Sequence, residues 1–243
     1  NMLIKNRHVI NVRGNKKKFI KIKGKSFLNP ININVPGDPS SSAFFVALTL
    51  LNNNSSIKIL SVCLNSTRIG FYNLLKKCGA DIKFQNLKRE NNELRGDILV
   101  RSCKINPIKA SRKYYVSSTD EYPILFVIAA LTKGNSIFKG IGDLSNKESN
   151  RITEMQKVLK QVGVKSIAKK DELKIFGKGP INASKLKLSV PNLGDHRICM
   201  SAFVLAILTG AKAQIKNFET VFTSSPSFLK NMKILGANFE KKY

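Results

Sequence analysis

Asp120-Glu121-Tyr122-Pro123-Ile124-Leu125-Phe126-Val127-Ile128-Ala129-Ala130-Leu131 is an apolar run of helical length that opens on an aspartate and stops short of Gly134. A helix that is apolar nearly all round belongs in the middle of a domain, not on its surface. Two other stretches share this design. Asp38 precedes the apolar run 43–51 and Asp195 precedes 198–208, and these runs end near Asn52-Asn53-Asn54 and Gly210. Short strands are expected after each run, at Ile57-Lys58-Ile59-Leu60, Ser136-Ile137-Phe138 and Ala213-Gln214-Ile215. A second helix is expected to start at Ser66-Thr67-Arg68, at Glu148-Ser149 and at Ser224-Ser225-Pro226. The glycines that end these second helices, Gly79, Gly163 and Gly236, lie 41, 43 and 41 residues after their aspartates. A strand follows each glycine, and in the first two copies one more follows, Asp97-Ile98-Leu99-Val100 and Leu173-Lys174-Ile175-Phe176.

The unit is therefore a βαβαββ module used three times, with copies starting near 37, 119 and 194. Three such modules, each burying its apolar helix against the others, predict one α/β domain over 37–243 with helices inside and sheets outside. Residues 1–36 read differently. His8-Val9-Ile10-Asn11-Val12, Phe19-Ile20-Lys21-Ile22-Lys23 and Ile31-Asn32-Ile33-Asn34-Val35 alternate as strands do, with turns at Gly14-Asn15 and Gly24-Lys25. Asn1-Met2-Leu3-Ile4 has no cap or linker and is expected to be a piece of an element whose start is missing.

The apolar runs fall well short of the roughly 20 residues needed to cross a bilayer. No N-terminal segment has the form of a secretion signal. Cys63, Cys78, Cys103 and Cys199 show no C-x-x-C spacing, so a reducing cytoplasm is expected and zinc is not. Net charge is +27, from 42 Lys and Arg against 15 Asp and Glu, which raises a polyanion as a partner. The lysines are scattered, however, with short clusters only at Lys16–Lys18, Lys169-Lys170 and Lys241-Lys242, and no aromatic-rich basic motif accompanies them. No specific nucleic acid is expected.

Lys147-Glu148-Ser149-Asn150-Arg151 carries the densest chemistry. Ile152, Met155, Val158, Leu159 and Val162 recur behind it at helical spacing, which places the motif in the first turn of a helix. Lys147 and Arg151 then share a face that Glu148 can reach, and the helix N-terminus adds its own attraction for an anion. An alternative is a capping box, Ser145-x-x-Glu148, with the two cations solvated. Asp38, Asp120 and Asp195 are expected as N-caps, which is compatible with catalysis because a carboxylate at a helix start is held rigidly.

Asp120-Glu121-Tyr122-Pro123, Lys147-Glu148-Ser149-Asn150-Arg151 and Asp195-His196-Arg197-Ile198-Cys199-Met200, in that order and spacing, resemble the 5-enolpyruvylshikimate-3-phosphate synthases. Val35-Pro36-Gly37-Asp38-Pro39-Ser40-Ser41, Asn65-Ser66-Thr67-Arg68 and Thr223-Ser224-Ser225-Pro226 extend the match over the chain. The resemblance implies an inside-out α/β barrel-like domain, one of two in the family, with 1–36 as the strand-rich end of an otherwise missing N-terminal domain. It implies transfer of the enolpyruvyl group of phosphoenolpyruvate to the 5-hydroxyl of shikimate 3-phosphate by a monomer, without metal or organic cofactor; the alternatives are a related enolpyruvyl transferase acting on UDP-N-acetylglucosamine and a basic nucleic-acid-binding or RNA-phosphate-processing protein on the same module. Asp120 would bind the acceptor and take the attacking proton, and Glu148 would exchange a proton with the phosphoenolpyruvate methylene. Lys147 would contact the shikimate moiety, while Arg151 and Arg197 would clamp the phosphoenolpyruvate carboxylate. His196 is expected to orient its neighbours and not to act as a base. Asn150, Thr223 and Ser225 replace the Asp, Lys and Phe common in the family, and Asp143 stands where some members bind phosphate through Asn.

Overall fold

The apolar runs do form helices, and those helices meet one another. In the computed structural model, residues 6, 8–14, 19–30, 32–90 and 93–240 are described. Asn1–Ile4, Asn15, the Lys16–Lys18 cluster, Ile31 and Lys241-Lys242, on which some expectations rest, lie outside them. The chain opens with a hairpin of β1 (Ile10–Arg13) and β2 (Phe19–Ile22), antiparallel with Ile10 opposite Ile22. Residues 32–36 carry no strand, contrary to expectation. Alternation alone does not make a strand, which also needs a ladder to join.

The first module follows as α1 (Pro39–Leu51), β3 (Ser56–Cys63), α2 (Gly70–Lys77), β4 (Asp81–Glu90) and β5 (Glu93–Arg101). The second comprises β6 (Lys109–Ala110), a short turn α3 (Tyr115–Ser118), α4 (Tyr122–Ala130), β7 (Gly134–Lys139), α5 (Arg151–Gln161), β8 (Lys165–Lys169) and β9 (Glu172–Gly177). The third has β10 (Lys187–Val190), α6 (His196–Thr209), β11 (Lys212–Ile215) and α7 (Phe228–Ile234). No strand follows Gly236 within the described residues, although one was expected. The second helices also start later than the sequence suggested, at Gly70, Arg151 and Phe228.

Each module gives one sheet. β5 lies between β3 and β4 and is antiparallel to both. The second sheet runs β6-β7-β9-β8, with β6 and β7 parallel across the α4 crossover and the other pairs antiparallel. β10 and β11 pair in parallel across α6. A crossover helix is what joins adjacent parallel strands, so the parallel pairs follow from the helix that each module inserts.

α1, α4 and α6 pack on one another at the centre, and the sheets lie around them. Every residue of α4 is buried, from Tyr122 to Ala130. Fully burying one such aliphatic or aromatic side chain is worth roughly 1.5–3 kcal/mol, so this helix is a main source of stability. Phe228 of α7 closes the centre against Phe44, Phe45, Phe203 and Phe218, with ring centroids 5.5–6.2 Å apart.

Gly177 shows how tightly the layers meet. A Cβ there would stand 1.9 Å from the Thr132 carbonyl oxygen and 2.2 Å from that of Ala129. Only glycine lets β9 run so close under the end of α4. The next residue, Lys178, donates its backbone N–H to the Ala130 carbonyl at 3.0 Å and so satisfies one of the helix's last acceptors.

Candidate active site

The starts of the three central helices differ in ways that decide where charge is available. Asp38 caps α1, accepting from the Ser41 N–H at 2.8 Å and the Ser40 N–H at 3.2 Å. Arg68 reaches the same carboxylate at 3.3 Å and the Ser40 hydroxyl at 3.1 Å. Asp195 caps α6, accepting from the Arg197 N–H at 3.0 Å and the Ile198 N–H at 3.4 Å.

Asp120 does not cap α4, which corrects the sequence reading. It sits in a 3₁₀ turn, Thr119–Glu121, and α4 has no side-chain cap. The cause is local. Helical turns run almost without a break from Arg112 to Ala130, and the Ser118 and Thr119 hydroxyls donate back to the Tyr114 and Tyr115 carbonyls. The preceding turn thus takes the place of a cap. The Asp120 carboxylate is left for other partners, and its side chain is 42 % exposed.

Those partners are two arginines. Asp120 Oδ1 lies 3.7 Å from Arg151 Nη1 and its Oδ2 lies 3.8 Å from Arg197 Nη2. These are ion-pair separations and too long for hydrogen bonds. Both arginines are buried, Arg151 at 1 % and Arg197 at 6 % exposure. Arg151 Nη1 and Arg197 Nε and Nη1 have no hydrogen-bond partner among the described residues. Buried donors without acceptors are expensive, and an anion could satisfy them.

Asp195 holds Arg151 in place. Arg151 Nε donates to Asp195 Oδ2 at 2.9 Å, and Ser149 Oγ donates to the same oxygen at 2.9 Å. Burial pushes the Asp195 carboxyl up, but the Arg151 contact, Ser149 and the Arg197 N–H outweigh it and hold the group below the usual carboxylate range. One ionised carboxylate therefore sets both the guanidinium of Arg151 and the helix start that carries Arg197.

The Lys147–Arg151 motif is not the first turn of a helix. Lys147 is extended, with φ −90° and ψ −163°, and α5 begins only at Arg151. Asn150 is the N-cap, accepting from the Thr153 N–H at 3.0 Å. Ser145 forms no capping box with Glu148, because its hydroxyl donates to the Gly142 carbonyl at 2.7 Å. Lys147 and Arg151 consequently do not share a helical face. Lys147 Nζ pairs with Asp143 Oδ2 at 3.0 Å, whereas Glu148 Oε2 accepts from Arg151 Nη2 at 2.6 Å. The structure still gathers Asp120, Glu148, Arg151 and Arg197 around one point, with Lys147 on the same loop.

Two neighbours were not foreseen. Glu121 is 3 % exposed, and burial raises its pKa to about 7, against the pull of Ser40, Arg197 and Arg68. Its only sequence signal was adjacency to Asp120. Tyr115 donates to Asp143 at 2.7 Å, and nothing in the sequence marked it. His196 is half-buried, and burial together with the Arg197 charge holds it below the usual imidazole range, so it adds no positive charge near neutral pH. Thr223 donates to the Thr220 carbonyl at 2.8 Å, within its own turn. Among the described residues no cluster of His, Cys, Asp and Glu could hold a metal ion, and no helix is long and apolar enough to cross a membrane.

Three modules around central helices, with a carboxylate set between buried arginines where those helices begin, define the class as the enolpyruvyl transferase fold. The enolpyruvyl transferase NikO of Streptomyces tendae shares that fold over 94 % of this chain, with a TM-score of 0.71 at 12 % identity. The family is narrower: the description EPSP synthase (3-phosphoshikimate 1-carboxyvinyltransferase) matches residues 1–232, and the chain belongs to that family. The 3-phosphoshikimate 1-carboxyvinyltransferase of Zymomonas mobilis is 37 % identical over 226 residues, which are 92 % of this chain and 50 % of the relative. That of Paracoccus denitrificans is 34 % identical over 90 % of the chain and 49 % of its own length. A solved structure of EPSP synthase from Acinetobacter baumannii superposes with a TM-score of 0.86 at 30 % identity, covering 98 % of this chain and 54 % of that one. The chain thus spans about half the length of the relatives it matches.

Proposed function

We propose that this chain forms one wall of an active site that moves the carboxyvinyl group of phosphoenolpyruvate onto the 5-hydroxyl of shikimate 3-phosphate, releasing phosphate. Residues 37–243 would be the C-terminal domain of that enzyme, and 1–36 the strand-rich edge of its N-terminal domain. The observation that carries this reading is Asp120 standing 3.7 and 3.8 Å from two buried arginines with unpartnered N–H groups. A carboxylate-bearing substrate can take those donors through charge-assisted hydrogen bonds from both guanidinium groups. Asp120 is then left beside the attacking hydroxyl as its base.

Glu148 Oε2 accepts from Arg151 Nη2. An incoming carboxylate competes for the same guanidinium. Glu148 is thereby released to exchange a proton with the methylene carbon, which couples proton transfer to substrate binding. Lys147 supplies positive charge to the acceptor. Addition of the hydroxyl to the enolpyruvyl carbon, with its proton passing to Asp120, and protonation of the methylene by the acid form of Glu148 give a tetrahedral adduct. Phosphate then leaves with the proton held by Asp120, and the methyl group returns a proton to Glu148 as the double bond re-forms, so atoms and charge balance.

Phosphate release from phosphoenolpyruvate with shikimate 3-phosphate tests the reading, using this chain alone and joined to the N-terminal half of its Zymomonas mobilis relative. Release only in the joined protein is expected, because a site between two walls needs both to orient its substrates. No release in either, with salt-sensitive RNA binding instead, would overturn the proposal.

A further inference from the structure

A second chain of contacts runs into the loop that bears Lys147 and Glu148, separate from the arginine pair. The Tyr115 hydroxyl donates to Asp143 Oδ2 at 2.7 Å across 28 residues, and the same oxygen pairs with Lys147 Nζ at 3.0 Å. Tyr115 is itself fixed, its ring 5.6 Å from the buried ring of Tyr122 at the start of α4. Asp143 lies in the 3₁₀ turn Gly142–Asn146, which is pinned where the Gly142 N–H donates to Asp171 Oδ1 at 2.8 Å. The turn and the helical segment leading to Asp120 are therefore tied through one carboxylate.

The protonation states support this arrangement. The Tyr115 hydrogen bond, followed by Lys147, holds Asp143 below the usual carboxylate range. Burial and the Asp143 contact push Tyr115 above the usual tyrosine range, so it remains a donor. An exposed lysine–carboxylate pair alone fixes little, because two flexible side chains lose entropy to hold it. A second donor on the carboxylate oxygen removes much of that freedom. An ionised carboxylate also repels phosphate, so Asp143 is not suited to bind an anion directly.

We propose that Tyr115 and Asp143 are positioning residues, whose hydroxyl–carboxylate pair fixes the Lys147 ammonium and so sets how the acceptor substrate is held. Lys147 uses one N–H on Asp143 and keeps two for that substrate. The inference rests on the functional reading above, in which Lys147 meets the acceptor.

Two measurements separate the inference from that reading. In the first, acetic anhydride labels the lysines of this chain, and the modification rate of Lys147 is followed by mass spectrometry. Asp143→Asn and Tyr115→Phe should each raise that rate, and unchanged rates in both overturn the positioning of Lys147. In the second, the joined two-domain protein is assayed for carboxyvinyl transfer. Asp143→Ala should raise KM for shikimate 3-phosphate about three- to tenfold, with the loss falling on that KM and not on kcat or on KM for phosphoenolpyruvate. Tyr115→Phe should act in the same direction and add nothing to Asp143→Ala in the double variant, and Asp143→Glu should keep part of what Asp143→Ala loses. An unchanged KM, or an equal rise for both substrates, overturns the positioning role. A parent protein without transfer activity contradicts the functional reading alone, and the labelling then decides the inference.

Discussion

Arg151 Nε donates to Asp195 Oδ2 at 2.9 Å across 44 residues of chain, with both side chains sealed from solvent. The contact joins the second module to the third where their helices begin. It also fixes the guanidinium that, with Arg197, flanks Asp120. Fold and site share this one pair.

Asp195→Asn should therefore be severely destabilising. Asparagine caps a helix about as well as aspartate does, so the α6 start survives the change. What is lost is the one buried carboxylate of the three beside Arg151, Glu148 and Asp120 being solvent-exposed, and breaking one partner of a buried pair costs about 3–5 kcal/mol. Urea unfolding of the two proteins checks this. A loss no larger than a typical cap substitution would contradict it.

Asn150 departs from the aspartate common in the family, yet it is the working N-cap of α5. Asn150→Ala should lower stability by about 1 kcal/mol. Asn150→Asp should be neutral or stabilising by a few tenths, since an anion at a helix start meets the positive end of the dipole. Thermal unfolding of both variants reads the sign of each effect.

Glu121 predicts a pH dependence. Its folded pKa of about 7 lies above the ordinary 4.5, so the folded state holds a proton that the unfolded state has released between those values. Stability from this group is present below about pH 4.5 and is lost as pH rises through 7, by up to about 3 kcal/mol. Glu121→Gln removes that loss. The variant should gain stability relative to the parent on going from about pH 5 to pH 8, as measured by urea unfolding at both. An identical difference at the two pH values would contradict the assignment.

The repeat was legible because its punctuation is local. Asp38 and Asp195 cap their helices as read, and Gly210 ends α6 in a left-handed conformation with φ +70°. The burial of α4 followed from Ile124–Ala130 being apolar on every side. What escaped the sequence depends on competition between neighbours. Asn150 won the cap over Ser145, which moved the helix start past Lys147 and Glu148 and separated Lys147 from Arg151. The helical turn of α3 relieved Asp120 of capping, and pattern alone does not show that one helix feeds another. The roles of Asp195 toward Arg151 and of Tyr115 toward Asp143 span 44 and 28 residues, distances at which spacing carries no information. Of the strand expected over 31–35, residues 32–35 form none, because alternation alone specifies no ladder.

Removing Asp120 from the joined two-domain protein is the most direct test of the proposed chemistry. Asp120→Ala should lower kcat for phosphate release by a factor of about 10²–10⁴, the usual contribution of a positioned base, while phosphoenolpyruvate binding persists. Turnover within a few-fold of the parent would contradict it, because the carboxylate between the two arginines would then have no part in the chemistry.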